Sequence, residues 1–281
     1  MKYVLLENIA NIKDLNSFDV ATMELLKTFD INIAKIDNSN FSNSRDTHLL
    51  DGGLTALVID AYNLALVEEA NANLICYDDF SFNSYTKTQK CLKSDKKLKD
   101  EVNVKLSELG KEYRGSAKTT HLVDIITQNI GLDNLKERVK NSFSDFSIAL
   151  YYGNGYCQTK EGANIKQVED ILSAIGAKVI KLDSIYNSCG FEYLNSHTKI
   201  SHQIAGEMLL DMFDNSADIV TSTETSSFIM FDKNQRALEC EIGRDINLPF
   251  LNLAQLILLA TGEVDSKNIG LEYHKIEPKF I

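Results

Sequence analysis

The residues best suited to bind a metal or carry electrons are five cysteines, Cys76, Cys91, Cys157, Cys189 and Cys240. A thiolate is soft and anionic, so it holds transition metals that neutral oxygen ligands release. The cysteines are odd in number, widely spaced and lack a close Cys-x-x-Cys pair, which argues against a secreted disulfide framework. Cys157 and Cys189 with His197 or His202 as a third ligand would make a mononuclear metal site. The simpler expectation is isolated thiols, because the two histidines are five residues apart and do not share a helix face; one reads as a loop residue, the other as a helix start. Cys91 and Cys240 read as ordinary, partly buried residues. Asp78 and Asp79 are adjacent carboxylates, and a helix N-cap at Asp79 accounts for them better than acid–base catalysis. The hydroxyl-rich run Thr221 to Ser227 reads as N-capping, with anion binding as the alternative. Tyr151-Tyr152-Gly153-Asn154-Gly155-Tyr156 lacks the spacing and lysine of a phosphate loop, and there is no HExxH or assembled Ser-His-Asp order.

The elements that would position these residues repeat. A buried strand Lys2–Leu6, a helix through Val20–Leu26 and a strand Ile33–Asp37 return as a strand Ser147–Tyr152, a helix Lys166–Ala174 and a strand Lys178–Asp183. Lys35 and Asp37 recur as Lys181 and Asp183, 146 residues on. Each copy continues through a polar loop into a long helix, Leu57–Val67 and His202–Phe213, and then a third strand, Asn73–Cys76 and Asp218–Thr221. Strands alternating with helices predict parallel pairing, hence an α/β fold of two tandem Rossmann-like repeats related by a pseudo-two-fold. The expected domains are 1–141 and 142–281, with a helical, lysine-rich extension over about 86–141 in the first. Its lysines, Lys87, Lys90, Lys93, Lys96, Lys97 and Lys99, alternate with Asp95, Asp100 and Glu101 and read as a solvated face, the alternative being a docking surface for an acidic partner. In such a fold ligands sit beyond the carboxyl ends of the strands, so each copy gathers three loops around one place.

Composition narrows the function. Lys+Arg total 29 against 40 Asp+Glu, a formal charge of −11, which disfavours binding to nucleic acid or an anionic membrane. No apolar run approaches the roughly 18 residues of a membrane span, and Glu7 and Asn8 interrupt the N-terminal apolar run before a signal-peptide core forms. The expectation is a cytoplasmic protein without direct membrane insertion.

The order of elements, the Ser188-Cys189-Gly190-Phe191 turn and the run Leu248-Pro249-Phe250-Leu251-Asn252-Leu253-Ala254-Gln255-Leu256 resemble the B-type subunit of heterodisulfide reductase, in the cysteine-rich or CCG-domain family. Lys111-Glu112-Tyr113-Arg114-Gly115, leading to His121-Leu122-Val123-Asp124, shares the likeness. The wider group includes the E-type subunits of some succinate and fumarate reductases and iron–sulfur subunits of glycolate and lactate oxidation. The resemblance implies, in each repeat, a cysteine after the first strand, Cys-Cys-Gly after the second and Cys-x-x-Cys after the third, binding iron–sulfur clusters. On this chain those positions are Asn8, Phe41, Ser42, Cys76 and Asp79 in the first repeat and Asn154, Ser188, Cys189, Thr223 and Ser226 in the second. Only Cys76 and Cys189 keep a thiol, and Cys157 lies three residues past its expected place.

A hydroxyl is not deprotonated near neutral pH and Phe41 has no donor atom, so no iron–sulfur cofactor is expected. The expectation is therefore a degenerate, cluster-less relative, not an enzyme by itself, that acts as a structural or regulatory partner of a redox complex. The resemblance implies a flavoprotein or iron–sulfur subunit as its partner and a place peripheral to a membrane-associated complex. The alternatives are an electron-transfer subunit using a rearranged cluster or metal at Cys76, Cys157 and Cys189, or a small-molecule or anion-binding protein reusing the emptied cleft.

Overall fold

The computed structural model describes residues 1–7, 15–34, 36, 41, 53–153 and 165–279. The chain forms two compact units, one from residues 1–12 and 30–122 and one from 13–29 and 123–281. Each is built on a three-stranded parallel sheet.

In the first unit the order is β1 (Tyr3–Leu5), β2 (Asn73–Cys76), β3 (Thr119–His121), and a bridge from Tyr3 to Ile33 extends the sheet beyond β1. Tyr3 lies opposite Asn73, Leu74 opposite Thr119 and Cys76 opposite His121. β1 is buried throughout and β2 over Leu74–Cys76, as expected where helices cover both faces of a parallel sheet. Helix α2 (Leu54–Glu69) packs on β2, on α3 (Asp79–Ser94) and on α4 (Lys96–Ser107). Val4, Leu64, Val67, Leu74, Leu92, Val102 and Leu106 form the core between them.

The second unit repeats that order. β4 (Ser147–Tyr151) lies between β5 (Lys178–Ile180) and β6 (Ile219–Ser222), and a bridge from Val220 to Phe250 takes the place that β3 holds in the first sheet. Between β3 and β4 the chain makes a single turn, α5 (Leu122–Asp124), a π-helical stretch Ile125–Gly131 and α6 (Leu132–Arg138). Helix α7 (Ile165–Ala174) follows β4 and packs on α6, and α8 (Thr198–Asp214) follows β5. α9 (Thr225–Phe228) follows β6, and α10 (Gln235–Ile242) packs on α8. α11 (Leu253–Thr261) opens with a capping box, Asn252 accepting from the Gln255 backbone and Gln255 accepting from Asn252 N–H.

Three features differ from the sequence reading. The stretch 86–141 is not helical throughout, because β3 interrupts it. A three-residue strand of Thr-Thr-His carries no apolar run and exists only because β2 is there to pair with it. Helix α1 (Asn16–Thr28), read as part of the first repeat, packs against α11 in the second unit. Its Phe18 ring meets Phe228 edge-on at 5.5 Å and lies 6.3 Å from Phe250. The compact units therefore divide at 122/123 with a helix exchanged between them, whereas the repeat in sequence suggests 141/142.

Candidate functional site

All strands within a sheet run the same way, so the residues that leave β1, β2 and β3, or β4, β5 and β6, gather at one edge of their own unit. In the first unit that edge holds Cys76, Asp78, Asp79 and His121, all buried. Asp78 is the N-cap of α3, accepting from Ser81 N at 3.0 Å and from its hydroxyl at 3.2 Å. The cap is thus Asp78, one residue earlier than the sequence suggests. Asp79 turns inward instead, its Oδ1 3.3 Å from Nε2 of His121. His121 also meets the Phe82 ring edge-on at 5.4 Å.

Behind this edge α2 contributes Asp60 and Asn63, both fully buried. Asp60 accepts from the hydroxyls of Ser84 at 2.7 Å and Thr88 at 2.9 Å, and Asn63 donates to the Tyr85 hydroxyl at 2.7 Å. Desolvation governs protonation here. Burial raises the Cys76 thiol well above its ordinary pKa, with Asp78 and Asp60 adding to the effect. Burial likewise raises Tyr85, with smaller contributions from Asp60 and Cys76. It lowers His121 to about 4, and the nearby Asp78 offsets this only in part. The thiol, phenol and imidazole are therefore all neutral near pH 7. Phe41 is buried in the same apolar cluster as Cys76.

In the second unit three loops converge. Tyr151, at the end of β4, donates its hydroxyl to Asn187 O at 2.9 Å, in the loop after β5. Cys189 in that loop is hydrogen-bonded to Tyr151 and to the Phe191 backbone. Burial raises its thiol to about 11 despite those bonds, and Glu224 and Glu192 push in the same direction. Glu224, after β6, lies over Gly153: a Cβ at that glycine would stand 2.1 Å from a carboxylate oxygen, and its φ of +72° suits glycine. The turn itself is held internally. Ser188 donates to Glu192 at 2.5 Å and accepts from Gly190 N at 2.9 Å, while Ser201 donates to Gly190 O at 2.8 Å. Gly190 has φ +78°, and a Cβ there would meet Ser201 O at 2.9 Å, so this position admits only glycine without strain.

The hydroxyls of the next loop close a turn. Ser222 accepts from Glu224 N at 2.9 Å, Ser227 donates to Glu224 O at 2.6 Å and Ser226 lies 3.4 Å from the Glu224 carboxylate. Counting from strand end and helix start, Cys76 and Asp79 correspond to Ser222 and Thr225, one residue before the pair Thr223 and Ser226 read from sequence. Neither pair contains a thiol.

Asn8, Ser42, Asn154 and Cys157 lie outside the described residues. His197 is exposed just before α8, with Nδ1 3.1 Å from Ser196 Oγ, and His202 lies within α8. Cys91 is partly buried, as expected, but Cys240 is exposed on α10. Among the described residues no three His, Cys, Asp or Glu side chains are arranged to hold a metal ion. Also among them, no helix is long and apolar enough to cross a membrane.

Sequence reasoning missed Asp60, Asn63, His121, Tyr151 and Glu224 as parts of these edges. The readable signal was in α2, where Asp60 and Asn63 stand three apart in an otherwise apolar stretch. It missed Glu68 as well, which accepts from the backbone of Arg114 at 2.8 Å, Gly115 at 2.7 Å and Ser116 at 2.6 Å, clamping the Lys111–Gly115 segment.

These are the features of a tandem α/β protein with a loop-lined edge on each sheet. Residues 191–275 match the HdrB-like C-terminal domain family. An HdrB-like heterodisulfide reductase protein of Archaeoglobus profundus is 25% identical over 76% of this chain and 75% of its own. The B-type subunit of a ferredoxin/F420H2-dependent CoB-CoM heterodisulfide reductase of Methanosarcina acetivorans is 24% identical over 79% and 76%. The membrane anchor subunit of the 8-methylmenaquinol:fumarate reductase of Wolinella succinogenes is 25% identical over 80% and 79%. The crystal structure of a hypothetical protein from Helicobacter pylori has the same fold, with a TM-score of 0.85 and 19% identity over 100% of this chain, which spans 53% of that one. The chain is an HdrB-like protein, a distant homologue of the B-type subunit of heterodisulfide reductase. Its relatives are subunits of heterodisulfide and fumarate reductases.

Proposed function

We propose that this HdrB-like chain carries no iron–sulfur cluster and serves as a non-catalytic structural or regulatory component of a redox complex, beside a flavoprotein or iron–sulfur subunit. The observation that carries the reading is the state of the two thiols at the cluster-ligand positions. Cluster ligation needs several thiolates, yet Cys76 and Cys189 are buried and held protonated. The other described positions hold the Phe41 ring, the Asp79 carboxylate beside His121, and the hydroxyls of Ser188, Thr223 and Ser226. Glu224 and Glu192 disfavour negative charge beside Cys189, where a thiolate-ligated cluster would add more. The described donor set therefore does not suit the family's cofactor, while the fold around it is intact.

The test is anaerobic purification from native cells, followed by iron and acid-labile sulfide analysis and low-temperature electron paramagnetic resonance. The expected result is a colourless polypeptide without stoichiometric iron, co-eluting with a redox protein. Stoichiometric iron and sulfide with a paramagnetic signal overturn the proposal in favour of an electron-transfer role.

A further inference from the structure

The lysine-rich segment has no part in either strand-end edge, and the structure places it on a defined surface. On α3 the exposed residues are Phe80, Lys87, Lys90, Lys93 and Ser94. Residues 80, 83, 87, 90 and 94 advance by alternating steps of three and four, so they form one stripe along the helix. The acidic residue on α3 is Asp79, buried beside His121, so every exposed charge on this helix is positive. The stripe begins at Phe80, 38% exposed, directly after the strand-end edge that holds Cys76 and Asp79. It continues onto the exposed Lys96 and Lys97 at the start of α4.

A solvated helix face normally mixes signs, because oppositely charged neighbours at three- and four-residue steps stabilise it and like charges destabilise it by a few tenths of a kcal/mol. Here Lys87, Lys90 and Lys93 repeat one sign at three-residue steps. Lys87, Lys93, Lys96 and Lys97 form no ion pair among the described residues, although the chain carries 40 acidic side chains. Acidic residues elsewhere do pair with lysines, as Glu69 does with Lys111 at 2.6 Å and Glu24 with Lys27 at 3.2 Å. A single-sign row on a chain of net charge −11 lowers the local barrier to an anionic surface that the rest of the molecule repels.

We infer that the Phe80–Lys87–Lys90–Lys93 stripe of α3 is a docking surface for an acidic protein face, with Phe80 as its apolar anchor beside the strand-end edge. The inference rests on the proposed role within a complex and specifies the charge of the partner's contacting face. The lysines supply orientation and encounter rate, and Phe80 supplies the desolvated contact.

Two triple variants of the full chain test it. Lys87→Glu/Lys90→Glu/Lys93→Glu reverses the stripe, while Lys178→Glu/Lys199→Glu/Lys267→Glu reverses three exposed lysines of the second unit with the same change in net charge. The probe is fluorescein-labelled poly-L-glutamate, followed by anisotropy at low and physiological salt, and far-ultraviolet circular dichroism checks the fold. Lys87→Gln/Lys90→Gln/Lys93→Gln replaces the reversal should the latter fail to fold. The expected result is salt-sensitive binding that weakens roughly tenfold or more in the stripe variant and much less in the control variant. Equal losses in both variants, or no binding by the native chain, overturn the inference. So does binding to vesicles containing phosphatidylglycerol in preference to the acidic polymer, which would make the stripe a membrane contact. Iron and sulfide content is independent of these readouts, so the docking inference and the cluster-less reading fail separately.

Discussion

Acidification from about pH 7.5 to about pH 5 is expected to cost the folded state about 2 kcal/mol through His121 alone. The imidazole is 1% exposed, and burial lowers its pKa from 6.5 to about 4. Because the folded pKa is depressed, the unfolded chain binds the proton first. Between those two values the unfolded state holds more protons than the folded one, so stability is complete above pH 6.5 and falls as pH drops towards 4. A displacement of that size corresponds to about 3 kcal/mol in full, at about 1.4 kcal/mol per pKa unit, of which about two thirds is lost by pH 5. The assay is urea denaturation of the native chain and of His121→Asn at both pH values. Carboxylates and the other histidines titrate in both proteins, so the difference between their pH dependences isolates His121. The variant should be less stable at pH 7.5 yet lose about 2 kcal/mol less on acidification. Parallel losses refute the reasoning. So does a nuclear magnetic resonance titration placing the His121 pKa above its ordinary value, which would mean that the Asp79 carboxylate at 3.3 Å outweighs desolvation.

Three further outcomes follow from the same coordinates. Glu68→Gln replaces a charged acceptor of three short backbone hydrogen bonds with an amide whose N–H groups oppose the same donors, and should cost about 2 kcal/mol by urea denaturation. Gly190→Ala forces a Cβ onto φ +78° and to 2.9 Å from Ser201 O, and should cost about 2 kcal/mol; a neutral variant would show that the turn relaxes freely. With iodoacetamide at about pH 8, exposed Cys240 should be alkylated well before Cys189, whose pKa of about 11 leaves about one thiolate in a thousand; peptide mass spectrometry that finds Cys189 modified first contradicts the assigned environment.

The apolar framework was legible because a strand buried on both faces needs a run of apolar residues. Tyr3–Leu5, Asn73–Cys76 and Ser147–Tyr151 are such runs, and their recurrence in one order revealed the two sheets. β3 was not legible, since Thr119-Thr120-His121 takes its extended form from pairing with β2. Nor was the transfer of α1 to the second unit. An apolar helix face states that it must be covered, not by which neighbour, and Phe18 finds its cover in Phe228 and Phe250. At the candidate sites the positions of Cys76 and Cys189 could be placed, whereas their surroundings could not. Tyr151, Glu224 and His121 reach those thiols from loops or strands distant in the chain, and only the closed sheet brings them together.

The strand-end edges are closed by the chain's own atoms, and this bears on how a fold built around clusters in its relatives can persist without them. Where metal ligation supplies folding energy, losing the ligands leaves polar groups stranded and the loops unsupported. Here Asp78 takes the α3 N–H of Ser81, Ser188 takes that of Gly190 and Ser222 takes that of Glu224. Tyr151 ties the end of β4 to the loop after β5 through Asn187 O. At the outermost position His121 faces Asp79 in one unit, and Asn252, two residues past Phe250 as His121 is two past Thr119, closes a capping box with Gln255 in the other. Each turn thus has internal partners for the donors exposed where a strand gives way to a helix. Hydroxyls and carboxylates serve this purpose better than thiols, which are weak hydrogen-bonding groups. The same substitutions that remove sulfur from the edge therefore provide it with hydrogen bonds, so the loss of ligands and the retention of the fold have one physical origin.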